Sequence, residues 1–338
     1  MNVALYYRLG DFILSQSKTE DGRSSDGRYK FYVNQEIESP DFVVVIGKPY
    51  KHPLRFNVAP ENTVLAFYEP YSVVSYPKAY REQYGLVLSC QPEISGNNVK
   101  YTPPIIPWTV GVSFLQPPFK TNVGYNELLN RPTPQKTKLL SVITSNKSFT
   151  QGHYDRIVFV NKLKEQFGDQ LDIFGDGFND FDDKLEVLSP YKYHIVIENS
   201  RGKYYWTEKF KDALIAETYP IYYGCTNIKE YFPETNFPEI DIANADEAVR
   251  IVKQTISNNE YEKNKELLHQ LKERCIKEFN IFDTLAHELD KLDPSAEKKE
   301  VVLKPAKTMT DLHNFINYTF TRNYWKQKGN KLNRDKGL

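Results

Sequence analysis

Twelve consecutive residues in the second half of the chain, Glu198-Asn199-Ser200-Arg201-Gly202-Lys203-Tyr204-Tyr205-Trp206-Thr207-Glu208-Lys209, gather two carboxylates, three cations and three aromatic side chains. They follow an apolar, β-branched run and end at Thr207, a residue type suited to cap a helix N-terminus. In open parallel sheets, ligands bind beyond the carboxyl ends of strands, where the next helix offers unpaired N–H groups and a positive dipole. Lys209 would stand in the first helical turn, where a cation opposes that dipole unless an anion lies nearby. A diphosphate would resolve the conflict. Arg156, near the start of the helix after the strand that ends at Thr144, could supply a bidentate fork to a second phosphate. Taken singly, each cation is more simply read as a solvated surface residue.

The elements that would position these residues alternate between short apolar runs and helical patterns, which predicts an α/β class with largely parallel sheets. In the first part, residues 2–7, 42–46, 64–67 and 86–88 read as buried strands. Seven prolines between Pro103 and Pro134 disfavour long regular elements, and an interdomain linker is expected near 116–136. In the second part, strands are expected at 139–144, 171–174, 193–197 and 221–223. Helices are expected after Gly152, from Thr207 to about Glu217, over 246–257 and 260–278, and near 284–292. Length suggests two domains. Two Rossmann-like domains facing a cleft, 1–125 and 126–300, followed by a tail, 301–338, is the simplest assembly.

The 338 residues carry 44 basic and 44 acidic side chains. Residues 301–338 hold eight Lys/Arg and two Asp, which leaves 36 basic and 42 acidic side chains in residues 1–300, a net of −6. This excludes a globally basic nucleic-acid coat, and no nucleic-acid partner is expected. No apolar run reaches the ~18 residues of a membrane span, and the start of the sequence lacks a signal-like pattern, so a cytoplasmic protein is expected. The tail combines a broken apolar stripe (Leu312, Phe315, Ile316, Phe320, Tyr324, Trp325) with Lys326, Lys328, Lys331, Arg334 and Lys336. It could lie on an anionic membrane as a peripheral contact, or dock on the protein's own body.

Three widely spaced cysteines, Cys90, Cys225 and Cys275, fit buried thiols. Asp180-Phe181-Asp182 has the form of a DxD metal pair but reads more simply as an acidic turn, and the six histidines show no ligand spacing. No Walker loop or GxGxxG is present. The 24 tyrosines and 20 phenylalanines are mostly core; Trp108 and Tyr71 are candidates for a cleft.

The block Tyr191-Lys192-Tyr193-His194-Ile195-Val196-Ile197-Glu198-Asn199-Ser200, then Tyr205-Trp206-Thr207-Glu208-Lys209, Ala213-Leu214 and Pro220-Ile221-Tyr222-Tyr223-Gly224, resembles the signature of the GDP-fucose-dependent α1,3/α1,4-fucosyltransferases, glycosyltransferase family 10. The match covers about forty residues in order and spacing. Ser145-Asn146 followed by Arg156, Phe159 and Leu163 resembles a second segment of that family, with a longer intervening loop here. The resemblance implies a GT-B fold with an N-terminal acceptor domain and a C-terminal donor domain, and no obligatory metal or other cofactor. It implies that Arg156 and Lys209 bind the donor diphosphate, that Glu208 contacts the ribose or sugar, and that Glu198, Asn199 and Tyr205 line the donor pocket. It draws the general base from a glutamate just after an N-terminal strand. Val64-Leu65-Ala66-Phe67-Tyr68-Glu69-Pro70 has that form, so Glu69 is the candidate and Glu93 its competitor. The expected partners are a GDP-sugar donor and an oligosaccharide or glycoconjugate acceptor. A same-fold transferase using another nucleotide-sugar, or a carbohydrate-binding relative without turnover, are the alternatives.

Overall fold

The computed structural model describes residues 1–115, 118–145, 151–309, 323, 324 and 327. The strands are β1 (Asn2–Tyr7), β2 (Lys30–Val33), β3 (Phe42–Ile46), β4 (Leu54–Val58), β5 (Thr63–Ala66), β6 (Leu86–Ser89), β7 (Val99–Tyr101), β8 (Val112–Ser113), β9 (Lys120–Thr121), β10 (Lys138–Ile143), β11 (Leu171–Phe174), β12 (Tyr191–Gly202), β13 (Tyr219–Cys225) and β14 (Lys299–Leu303). The α-helices are α1 (Lys78–Arg81), α2 (Tyr125–Asn130), α3 (Gln151–Phe167), α4 (Lys184–Leu188), α5 (Glu208–Ile215), α6 (Ala245–Ser257), α7 (Glu260–Lys263), α8 (Lys265–Glu278) and α9 (Ile281–Leu289).

These elements form two compact units. The first takes in Met1–Pro107, Val112–Asn130 and the chain from Arg274 to 309; the second takes in Trp108–Gly111 and Arg131–Glu273. The first is built on a parallel sheet in the order β2-β1-β3-β5-β6-β7. Every residue of β3 and β5 is buried, as expected of strands covered on both faces. The second is built on a parallel sheet in the order β11-β10-β12-β13. The expected α/β class is what the chain adopts: two mixed α/β units on parallel sheets, the make-up of the GT-B fold. In each sheet the chain steps first to one side of its opening strand and then to the other. The reversal falls between β1 and β3 in the first unit and between β10 and β12 in the second.

The expected boundaries at 125/126 and 300/301 differ from these units. α9, expected within the second domain, packs Ile281, Phe282, Leu285 and Leu289 into the core of the first sheet with Val3, Leu5, Phe31 and Phe42. Polar ties hold it there: Asp283 accepts from the Ser25 N–H at 2.7 Å and the Ser25 hydroxyl at 2.5 Å, and Asp290 pairs with Arg28 at 2.6 Å. The presumed start of the tail is β14, which pairs antiparallel with β4. Leu303 is fully buried, and the Lys304 N–H donates to Gln83 at 2.7 Å. Residues 299–309 therefore belong to the first unit. The amphipathic stripe further on lies outside the described residues, except Tyr324, which is exposed. The three cysteines are free and buried, and no helix among the described residues is long and apolar enough to cross a membrane.

Leu303→Ala should destabilise the first unit by about 2–4 kcal/mol, the range for removing a buried leucine, read as a lower midpoint in urea unfolding. A change within ~0.5 kcal/mol, typical of a surface position, would show that β14 is only loosely attached.

Candidate functional site

The reversal of strand order between β10 and β12 opens a crevice beyond their carboxyl ends, where open α/β sheets bind ligands. Two glycines shape it. Gly175, at φ +113°, closes β11 so tightly that a Cβ would stand 1.9 Å from the Thr144 carbonyl oxygen, so only glycine lets the loop after β10 lie against it. Gly152, in the first turn of α3, lies where a Cβ would come within 3.1 Å of the Asn199 carbonyl oxygen, so this helix starts close to β12.

Arg156 projects from α3 into this crevice and is buried. One guanidinium nitrogen donates to Asn199 Oδ1 at 3.3 Å; the other donates to the Ser145 hydroxyl at 3.2 Å and carbonyl at 3.4 Å. Its Nε has no hydrogen-bond partner and no carboxylate pairs with it among the described residues. Burial alone pulls its pKa down to about 10, so it stays charged at neutral pH. A buried, charged guanidinium whose partners among the described residues are neutral acceptors has the chemistry to take an anion.

Across the crevice, β12 delivers Glu198, which is buried. Its two oxygens accept from the Thr207 N–H and hydroxyl, each at 2.7 Å. Thr207 caps α5 by accepting from the Lys209 N–H at 3.3 Å. Gly224 makes room for this, since a Cβ there would stand 2.5 Å from Glu198 Cγ. Lys209 Nζ lies 3.2 Å from the Thr207 hydroxyl, 3.0 Å from Glu208 and 3.5 Å from Glu198. Glu208 has a second cation, Lys184 of α4, at 3.9 Å, and Lys184 is itself bound to Asp212 at 2.8 Å. Burial pushes the Glu198 carboxyl up, against the pull of Lys209, and the Glu208 charge adds to the rise. Burial would raise Glu208 too, but Lys209 and Lys184 outweigh it and hold that carboxyl at about 2.

Of the expected site residues, Arg156, Asn199 and Ser145 come together, and Glu198, Glu208 and Lys209 form a second cluster around Thr207. Tyr205 is buried beside them in sequence; Asn146 lies outside the described residues. Glu69 belongs to the first unit, half-buried just past β5, its carbonyl held by Gln91 Nε2 at 2.8 Å. Its competitor Glu93 is exposed. His194 is a buried core residue, bonded through Nδ1 to the Ser141 hydroxyl at 2.8 Å and pulled down to about 3 by burial and by Lys184. Asp180 is exposed, while Asp183 caps α4 and accepts from the Gly111 N–H, each at 2.8 Å. Among the described residues, no group of three or more His, Cys, Asp or Glu is placed to hold a metal ion. Trp108 is fully buried and so a core residue; Tyr71 is exposed. Lys184 and Asp212 went unmarked by the sequence pattern, because α4 and α5 bring them together across 28 residues.

Residues 133–263 match the family model described as glycosyltransferase family 10 (fucosyltransferase) C-term. Both clusters lie within this matched segment. Over 71 residues it is 39% identical to the alpha-(1,3)-fucosyltransferase FucT of Helicobacter pylori, covering 21% of this chain and 15% of that one. Over 132 residues it is 27% identical to the 4-galactosyl-N-acetylglucosaminide 3-alpha-L-fucosyltransferase 9 of Mus musculus, covering 37% and 35%. The matched stretches thus span little more than a third of these relatives at most. A solved structure of an alpha1,3-fucosyltransferase with GDP aligns with 84% of this chain and 92% of that one, at 18% identity and a TM-score of 0.46.

Because Glu208 is held below its ordinary 4.5, its ionised form stabilises the fold above that pH, and the contribution is lost as pH falls toward 2. Glu208→Gln should therefore cost about 1–3 kcal/mol at pH 7, and its melting curve should converge on the unsubstituted protein's as pH drops from 4.5 toward 2. A gap that stays constant through this window would show that the two lysines do not stabilise the carboxylate.

Proposed function

We propose that the protein transfers L-fucose from GDP-β-L-fucose to a hydroxyl of a saccharide acceptor, with inversion and without an obligatory metal, forming an α1,3 linkage to N-acetylglucosamine or glucose. The observation that most supports this is Arg156, a buried cation without a carboxylate at the reversal of the β10–β12 sheet, inside the family 10 segment. A diphosphate offers such a guanidinium the bidentate, negatively charged partner that the described residues do not. This reading is of a cytoplasmic enzyme that acts on saccharides.

In this mechanism Arg156 and Lys209 bind the two phosphates, near the positive end of the α5 dipole. As the bond from the fucose anomeric carbon to GDP breaks, negative charge grows on the leaving diphosphate. Fixed cations already aimed at it stabilise that charge without reorganising. Asn199 and Ser145 orient the guanidinium, Glu208 accepts from ribose or sugar hydroxyls, and Tyr205 contributes to the pocket wall. Glu198, bonded twice to Thr207, fixes the helix cap and with it the first turn. Glu69 takes the proton of the acceptor hydroxyl as its oxygen attacks the anomeric carbon from the face opposite GDP, which converts a β-linked donor into an α-linked product.

Transfer from GDP-fucose should persist in EDTA, and a panel of nucleotide-sugars should show turnover only with the GDP-linked donor. Arg156→Ala should lower kcat/KM roughly a hundredfold or more. Glu69→Gln should lower kcat by roughly 10²–10⁴ with GDP binding retained. Strict Mn²⁺ dependence, or preference for a UDP-sugar, would overturn the reading.

A further inference from the structure

Lys209 has two competing roles. In this structure its ammonium is engaged by Glu208, Glu198 and the Thr207 hydroxyl at 3.0–3.5 Å. To meet a diphosphate it must give up part of that coordination. Glu208 would then be a poorly exposed carboxylate that has lost its nearest cation, a costly state. A second cation stands ready. Lys184 Nζ lies 3.9 Å from the same Glu208 oxygen. It cannot drift, because Asp212 holds it at 2.8 Å, and Asp212 is fixed in turn by the Thr109 N–H at 2.8 Å, the Thr109 hydroxyl at 2.6 Å and the Val110 N–H at 3.3 Å. Next to it, Asp183 caps α4 and accepts from the Gly111 N–H. Lys184 is thus held by the buried Asp212 carboxylate with its ammonium 3.9 Å from Glu208.

We propose that Lys184 is a positioning residue for the donor site: anchored on Asp212, it keeps Glu208 compensated and in place, so that Lys209 can turn from Glu208 to the diphosphate. The inference rests on the donor-site reading above. The charged groups that act on Glu208 are Lys209 from α5, Lys184 from α4 and Glu198 from β12; Asp212 and His194 reach it only through Lys184. His194, buried and depressed to about 3 by burial and Lys184, stays neutral above pH 4. Glu198 is shifted upward, the opposite direction to Glu208, so the two carboxyls would leave separate marks on a pH profile.

The test is calorimetric titration of the full chain with GDP between pH 4 and 8, comparing the unsubstituted protein with Lys184→Met and Lys184→Arg, with thermal melting as a control. Without Lys184, Lys209 should stay committed to Glu208. Lys184→Met should then bind GDP roughly tenfold or more weakly, and the acid limb of its affinity profile should move to higher pH as Glu208 protonates more readily. Lys184→Arg should restore both. GDP affinity and pH profile in Lys184→Met equal to those of the unsubstituted protein would overturn this inference and leave the donor reading intact. So would a loss of affinity that Lys184→Arg does not restore, or one with an unshifted acid limb. Failure of the unsubstituted protein to bind GDP would overturn the donor reading, and this inference with it.

Discussion

The Arg156 guanidinium is buried at the meeting of α3, the loop after β10 and the far end of β12, with neutral oxygens as its partners. Desolvating a cation costs several kcal/mol unless a counter-charge is supplied, so a fold selected for stability alone would pair it or replace it. Here the described surroundings keep it in place without neutralising it. Gly175 lets the Thr144 backbone lie close to the end of β11, Ser145 follows directly and accepts twice, and Gly152 brings the start of α3 against Asn199. Each concession in the second sheet's loops favours one outcome: a charged fork fixed at the crevice where strand order reverses.

The second cluster is organised on the opposite principle. Around the first turns of α4 and α5, the carboxylates of Glu198, Glu208 and Asp212 enclose the ammonium groups of Lys184 and Lys209. Nearly every charge there has a partner within 4 Å. The two carboxyls that share Lys209 shift in opposite directions because Glu208 has Lys184 as well, while Glu198 relies on Thr207 and is more deeply buried. Among the described residues, then, one cation has no charged partner, and the other is shared between two carboxylates. On the proposed reading, an arriving anion would meet a ready site and an exchangeable one.

Much of this could be read from the sequence where the signal is local. The run from Tyr191 to Lys209 has an apolar strand, a polar switch and a helix cap in consecutive residues, so the strand, the cap at Thr207 and the placement of Glu198, Glu208 and Lys209 follow from spacing. What could not be read depends on distant parts of the chain. β14 pairs with β4 across more than 240 residues, and a strand of Lys-Glu-Val-Val-Leu ahead of a basic segment looks like the beginning of a tail. α9 carries a clear apolar stripe, but nothing in that stripe says which sheet it covers. β2, β4 and β7 are short strands with polar residues among their apolar ones, so they lack the continuous β-branched run that marks β3 and β5. Lys184 is a lysine at the start of a five-residue helix, and its meaning appears only once α5 is beside it.

α5 is also tied to other segments of the second unit. The short excursion Trp108–Gly111 is tied to the second unit by Asp212 from the middle of α5 and by Asp183 at the cap of α4. Just past the helix, Glu217 adopts a left-handed conformation at φ 52°, unfavourable for a residue with a Cβ. In return its buried carboxylate accepts from Lys272 Nζ at 3.0 Å and the Thr133 hydroxyl at 2.7 Å, and Lys272 also donates to the Arg131 carbonyl at 2.5 Å. Arg131 opens the long segment of the second unit, and Lys272 lies one residue from its end. Burial draws Lys136, in the same polar group, down to about 7, with Glu217 resisting, while its ammonium donates to the Ala216 carbonyl at 2.8 Å. An eight-residue helix pinned at its middle by Asp212 and beyond its end by Glu217 has little freedom to tilt. That rigidity reaches the first turn, where a shift of about 1 Å in Glu208 or Lys209 would spoil an electrostatic site.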